Sequence, residues 1–264
     1  MAAAPDDALA REVEEIREEY RRRSASPQIA GQYSLLNATH ASLLLERERA
    51  ILGTLARHST TDLSELDVLD VGCSSGVSLA LLAAYGADPA RLHGVDTAAD
   101  RIETGRARFP SFDLRVSDGV TLPYADDSFD LVQQITMLSS VHSDELRARI
   151  AAEMNRVVRP GGLLLSFDAA PVAVLPRALN RALRLLDRRR PASPEATAAP
   201  EPAQHQLRQI LPLDEDTLGS LFAPATPLEQ RRLSPYRPLV DRFGPRAWLG
   251  LRPFATAVLY VARA

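Results

Sequence analysis

Three aspartates give the first chemical hint. Asp70 sits in the apolar run Val68-Leu69-Asp70-Val71, Asp96 ends Leu92-His93-Gly94-Val95-Asp96, and Asp118 follows the run from Asp113 to Val116. Directly behind the first run lies Gly72-Cys73-Ser74-Ser75-Gly76. Such small residues let a ligand approach the backbone and let the next helix pack close. The helix start after Gly76 favours negative charge. A carboxylate in the position of Asp96 can accept from both hydroxyls of a ribose, and one in the position of Asp118 can meet an adenine amino group. Singly, each acid also reads as a local device: Asp70 as a cap on the glycine turn, Asp96 as the N-cap of the helix after Thr97, Asp118-Gly119 as a turn. Three acids at consecutive strand ends beside a glycine turn are much harder to dismiss, and together they describe a nucleoside cradle.

The glycine spacing narrows the ligand. A dinucleotide fingerprint wants glycine at the first, third and sixth places. Here those places hold Gly72, Ser74 and Val77, and the chain has no lysine at all, its basic residues being arginines. A nicotinamide or P-loop nucleotide site is therefore disfavoured.

The elements that must position these residues are legible from periodicity. Residues 7–23 alternate acids and arginines around Leu9, Val13, Ile16 and Tyr20, which predicts an amphipathic helix. Asn37-Ala38-Thr39-His40 offers the start of a second, with Leu43, Leu44, Ile51, Leu52 and Leu55 on a broad apolar face. Strands are expected at 68–71, 92–96, 113–116, 129–135 and 163–167, with helices at 77–85, 98–109 and 144–158 between them. Arg159-Pro160-Gly161-Gly162 reads as a stop and turn; further strands are expected near 228–233 and 254–262. This alternation predicts an α/β fold, a Rossmann-like, doubly wound and mostly parallel sheet. Residues 1–60 are expected to form a helical lid and 61–264 the main domain. An insertion at about 170–212 begins as a basic amphipathic helix, with Arg177, Arg181, Arg184 and Arg188–Arg190, and ends Pro/Ala/Glu-rich. The arginine run could grip an acidic substrate or a membrane surface, or simply be solvated. The leucines 175, 179, 183 and 186 would roof an acceptor pocket.

Bulk properties exclude several classes. With 45% hydrophobic and 25% charged residues the composition is globular rather than disordered. A net charge of −3 gives no electrostatic footprint for nucleic acid. The lone cysteine, Cys73, excludes a disulfide framework and a Cys-rich zinc site, so no metal is expected. The acidic start lacks the basic, then apolar, character of a secretory signal, and no window has membrane-spanning length. A cytoplasmic protein without membrane insertion is expected, and the apolar N-terminal helix could support a homodimer.

The order of motifs resembles the class I S-adenosylmethionine-dependent methyltransferases, particularly their small-molecule, methyltransferase-11-like group. Residues 68–76 look like the first motif and Gly94-Val95-Asp96 like the second. Ser117-Asp118-Gly119-Val120, continuing through Leu122-Pro123-Tyr124, and residues 126–132 look like the third and fourth; 153–162 look like the helix and turn before strand five. Two departures stand out: Ser74 replaces the central glycine of the first motif, and Ser139 and Ser140 stand where a histidine pair is frequent. The resemblance implies a seven-stranded sheet with an antiparallel last strand. It implies S-adenosylmethionine as cofactor and S-adenosylhomocysteine as product. The methionine part would lie over Asp70, Gly72, Cys73, Ser74 and Gly76, the ribose on Asp96 and Thr97, and the adenine near Ser117, Asp118 and Gly119. Gln134, placed just past strand four, would meet the methionine amino group through its backbone, and Tyr33 on the lid would close over the cofactor.

Methyl transfer is a direct displacement from an activated sulfonium, so the protein mainly aligns reactants and excludes water. A general base is required only for a protonated acceptor. His142 after strand four, His40 in the lid and Asp168 at the end of strand five are the candidates; each also reads as a helix-start, surface or capping residue. His205 has no expected role, His93 is expected to be structural, and His58 to suit a helix C-terminus. The expected activity is O- or N-methylation of a small-molecule acceptor such as a natural-product, sugar or lipid precursor. C-methylation of an isoprenoid or polyketide, peptide N-methylation, and a non-catalytic methyltransferase-like scaffold are the alternatives.

Overall fold

The computed structural model describes residues 5–24, 36, 38–58, 62–169, 212–233 and 257–264. Tyr33, His205, the basic segment from Arg177 to Arg190 and nearly all of the expected insertion lie outside them.

Buried parallel strands are apolar on both faces, and the chain supplies them at the expected places. They are β1 (Val68–Val71), β2 (Leu92–Asp96) and β4 (Phe129–Ile135), while the edge strand β3 (Asp113–Val116) buries only Leu114. Three more strands follow: β5 (Val158–Ala169), β6 (Thr226–Leu233) and β7 (Ala257–Arg263). The helices are α1 (Pro5–Ser24), α2 (Ala38–His58), α3 (Val77–Ala84), α4 (Ala99–Arg108), α5 (Asp144–Val157) and α6 (Glu215–Leu221). They surround one seven-stranded sheet of order β3-β2-β1-β4-β5-β7-β6. β7 pairs antiparallel with both β5 and β6, while β1 to β5 run parallel, so the mixed sheet follows the expectation. The strand order reverses between β1 and β4, which makes the carboxyl ends of β1, β2 and β4 the natural ligand crevice.

Alternate residues of each strand serve opposite layers. Leu69, Val71 and Val132 pack with Leu146, Ile150 and Met154 of α5 and with Leu218 of α6. Val68 and Leu131 pack with Ile51 and Leu55 of α2, Leu79 of α3 and Ile102 of α4. α2 is therefore part of the core layer. Its end is tied to β6 and β7: Arg57 Nη2 lies 2.7 Å from Glu229 Oε2 of β6, and Arg263 Nη2 of β7 donates to His58 O at 2.6 Å. α1 joins the opposite layer through Val13 and Ile16.

The expected stop at 159–162 is a correction. These residues are drawn into β5, whose pairing skips between Phe129 and Leu131, and Gly161 takes φ +83°. The chain end explains it: Gly161 N donates to Ala264 O and Ala264 N to Gly162 O, extending the sheet past the expected turn.

Gly105 sets how near α4 comes to the glycine turn. A Cβ there would lie 2.6 Å from Leu114 Cδ1 and 3.0 Å from Ser75 O, a backbone atom. Helix propensity alone would favour Gly105→Ala by about 1 kcal/mol, but overpacking costs about 1–3 kcal/mol. Gly105→Ala should lower the melting temperature; a rise would show that α4 can back away from the turn.

Candidate functional site

Strand β1 delivers the chain into a turn of unusual backbone. Gly72, Ser74 and Gly76 have φ of +82°, +53° and +78°. Left-handed geometry suits the glycines and costs a serine. A Cβ on Gly72 would lie 2.7 Å from Met137 Cγ, so the β4 loop also requires glycine there. Asp96 pays part of Ser74's strain: its Oδ2 accepts from Ser74 N at 2.8 Å while Oδ1 accepts from Ala98 N at 2.8 Å. One carboxylate thus holds the turn and the β2 loop in fixed relation.

Asp118 lies exposed after β3, with Oδ1 accepting from Val120 N at 3.1 Å. Ser117 Oγ accepts from Gly119 N at 3.2 Å, and Ser117 N donates to Asp96 O at 3.0 Å. Asp96 and Asp118 are therefore joined by backbone at one sheet edge. Cys73 turns its sulfur inward, where a Cβ on Gly94 would come within 2.7 Å of it, and burial pushes the thiol pKa up. Only its backbone can serve a ligand at the turn.

Asp70 is buried, and its Oδ1 has no hydrogen-bond partner among the described residues. Burial raises its pKa to about 7, opposed by the charge of Arg47 and a hydrogen bond from Gln133. Gln133 is its register partner on β4, and Gln133 Oε1 is also buried without a donor. Two neighbouring acceptor oxygens without donors fit an incoming group with several N–H donors, such as an ammonium. Arg47, on α2, is paired with Glu48 at 2.7 Å, and the Arg47 side chain is 15% exposed.

The sequence had pointed to Gln134 rather than Gln133. Gln134 lies within β4, not past it, and is fully buried. Its Nε2 donates to Ser166 Oγ and Asp168 Oδ2, and its Oε1 accepts from Met137 N at 2.9 Å. Asp168 is likewise 0% exposed, with Ser139 N, Ala169 N and Gln134 Nε2 on its oxygens. The pair braces the loop after β4 and offers no open face to an acceptor. Gln133 and Arg47 were missed for definite reasons: the neighbouring glutamines differ only in strand parity, and Arg47 meets the site through tertiary packing.

His142 is exposed. Together with Ser140 and the α1 residues Glu12, Glu15, Ile16 and Tyr20 it lines a cavity of about 280 Å³ beside the β4 loop. His40 lies in the first turns of α2, where desolvation and then the charge of Arg47 lower its pKa, favouring the neutral imidazole. Thr97 is engaged by Arg17 of α1, which donates through Nε to Thr97 O at 3.1 Å and to Thr97 Oγ1. His93 pairs with Asp113 at 3.0 Å, away from the crevice chemistry, as its place in a strand suggested.

Comparison with known proteins agrees with this geometry. Residues 68–162 match the family model described as Methyltransferase domain. Over 108 residues the chain is 42% identical to Methyltransferase GfsG of Streptomyces halstedii, covering 38% of this chain and 37% of that protein. Over 98 residues it is 36% identical to the demethylmenaquinone methyltransferase of Renibacterium salmoninarum, covering 37% and 39%. The chain thus aligns with under half the length of these relatives. Its fold resembles that of an S-adenosylmethionine-dependent methyltransferase from Mesorhizobium loti, with TM-score 0.54, 17% identity, and coverage of 80% of this chain and 96% of that one.

The raised pKa of Asp70 has a definite sign. The folded chain holds this proton more tightly than an unfolded one, whose carboxyl titrates near 3.8, so ligand-free stability falls as pH climbs from there towards 7. Asp70→Asn removes the ionisable group. Its melting temperature should match the wild type in acid and gain on it progressively up to neutral pH; parallel melting curves would show that Asp70 is not forced to ionise in a buried site.

Proposed function

We propose, on the premise that this chain is a class I S-adenosylmethionine-dependent methyltransferase, that it transfers a methyl group to the oxygen or nitrogen of a small-molecule acceptor. The observation that carries this is the pair of donorless buried oxygens, Asp70 Oδ1 and Gln133 Oε1, beside the glycine turn and one β-strand from Asp96. A nucleoside alone has no use for them; a nucleoside carrying an amino-acid zwitterion does. When bound, S-adenosylmethionine supplies an activated methyl on a sulfonium.

The chain's own residues then have separable tasks. Asp70 and Gln133 accept from the ammonium, and Arg47, the cation whose charge Asp70 feels, answers the carboxylate. Backbone at Gly72, Cys73, Ser74 and Gly76 gives close approach, Asp96 with the adjoining Thr97 takes the ribose edge, and Ser117, Asp118 and Gly119 take the adenine. Tyr33 joins them as a proposed lid contact, and Gln134, through its backbone, as a proposed neighbour of the amino group. Helix α1 keeps water from the reacting centre. His142 stands at the cavity on the acceptor side and takes the proton from an O–H or N–H acceptor; His40, kept neutral, is the second group able to do so. The relatives named above fit a small-molecule acceptor, since one is a methyltransferase of demethylmenaquinone.

The test separates the amino-acid end from the nucleoside end. Arg47→Met should weaken S-adenosylhomocysteine by about 10- to 100-fold, the value of a charged hydrogen bond of about 1.5–3 kcal/mol. It should leave 5′-methylthioadenosine, which lacks the amino acid, within about twofold of wild type. Equal losses for both ligands would move Arg47 out of the site. On the acceptor side, S-adenosylhomocysteine formation from S-adenosylmethionine should appear when a small-molecule extract is supplied, and His142→Gln should slow it by about 10²-fold or more with cofactor affinity intact.

A further inference from the structure

Glu48 on α2 is 5% exposed, and a carboxylate is seldom buried so far without a partner. Its partner is the preceding residue. Arg47 Nε donates to Glu48 Oε1 at 2.8 Å, and Arg47 Nη2 lies 2.7 Å from the same oxygen. Adjacent residues on a helix point about 100° apart and do not face each other. The contact therefore requires the long Arg47 side chain to turn back towards its neighbour, which fixes the plane of the guanidinium. One edge of that plane, Nε with Nη2, is committed to Glu48. Among the described residues no hydrogen bond engages Nη1, so the edge formed by Nη1 and the second N–H of Nη2 stays open. Both charges reach the buried Asp70 of the crevice, Arg47 favouring its ionised form and Glu48 opposing it. Stability does not explain the pair, since replacing a buried ion pair by apolar groups is often neutral. An open guanidinium edge takes a carboxylate through two parallel bonds, and only in the right plane.

We propose that Glu48 is the positioning residue for the amino-acid end of the cofactor: it sets the Arg47 guanidinium so that the open edge meets the ligand's carboxylate, and it acts by its place rather than its charge. The proposal rests on the reading in which Arg47 answers that carboxylate. Two effects of Glu48 oppose each other. Its charge repels an incoming carboxylate. Its hold on Nε and Nη2 removes the rotamer freedom of a long side chain before the ligand arrives. A two-bond contact fails once its plane is lost, so the hold outweighs the repulsion. Two substitutions separate these effects. Glu48→Gln keeps the length and an acceptor oxygen and loses the charge. Glu48→Asp keeps the charge and draws the oxygens back by one methylene.

The experiment is an equilibrium titration of the full chain with S-adenosylhomocysteine and with its decarboxylated analogue, which keeps the amine and lacks the carboxylate. Glu48→Asp should weaken S-adenosylhomocysteine by about tenfold and the analogue by less than about twofold. Glu48→Gln should bind S-adenosylhomocysteine within about threefold of wild type, and so more tightly than Glu48→Asp. In an Arg47→Met background Glu48→Asp should change the affinity by less than about twofold, because its effect runs through the guanidinium. The reverse order of the two Glu48 variants, equal losses for the two ligands, or a loss in Glu48→Asp that persists without Arg47 would overturn the proposal. A loss well beyond tenfold in Glu48→Gln would do so alone, whether or not Glu48→Asp folds. Wild-type affinity for S-adenosylhomocysteine in Arg47→Met would instead overturn the assignment of Arg47, and the role of Glu48 with it.

Discussion

Asp96 holds two loops at once. Its carboxylate accepts from Ser74 N in the glycine turn and from Ala98 N at the head of α4, each at 2.8 Å. It adds to the backbone bonds from Gly72 N and Cys73 N to Val95 O, and reaches the left-handed serine that they do not hold. With it, the turn, the loop after β2 and, through Ser117 N on Asp96 O, the loop after β3 form one continuous edge. Helix α1 is built against that edge, Arg17 donating to Thr97 O. A carboxylate held at both oxygens by backbone N–H groups has a fixed orientation.

The second constraint is electrostatic. Asp70 is buried at the centre of the sheet, within reach of the charges of Arg47, Glu48 and Asp96. A protein that used this aspartate only for structure would give both oxygens donors, as it does for Asp168 on β5, two strands along the sheet. The two buried aspartates differ in how far their oxygens are satisfied, and the proposed role of Asp70 rests on that difference. Asp168 and Gln134 are saturated and shape the loop after β4; Asp70 and Gln133 are left short of donors at the crevice. The family match over 68–162 covers the motif that carries Asp70, Asp96 and Gln133, but not Arg47 or the helix that bears Tyr20.

Much of this was legible in the amino-acid order, for local reasons. The strand ends at Asp70 and Asp96 could be read because parallel strands are short apolar runs stopped by small residues. The helices at 77–84 and 144–157 followed from their spacing, and the structure adds Ser143, whose Oγ caps Leu146 N at 3.2 Å. What could not be read depends on parity or on distant packing. Gln133 and Gln134 are adjacent, and which of them faces Asp70 is set by strand register rather than composition. Arg47 and Arg17 act across the fold from α2 and α1. The extension of β5 through Gly161 depends on the chain end pairing with it.

The most direct test of the cofactor assignment is a calorimetric titration of S-adenosylhomocysteine into the wild-type chain and Asp96→Ala, with NAD as control. Saturable one-site binding, weakened in Asp96→Ala by about 1–3 kcal/mol and absent for NAD, is the predicted result. A folded wild type that binds neither S-adenosylhomocysteine nor S-adenosylmethionine, or that binds NAD in their place, would contradict it.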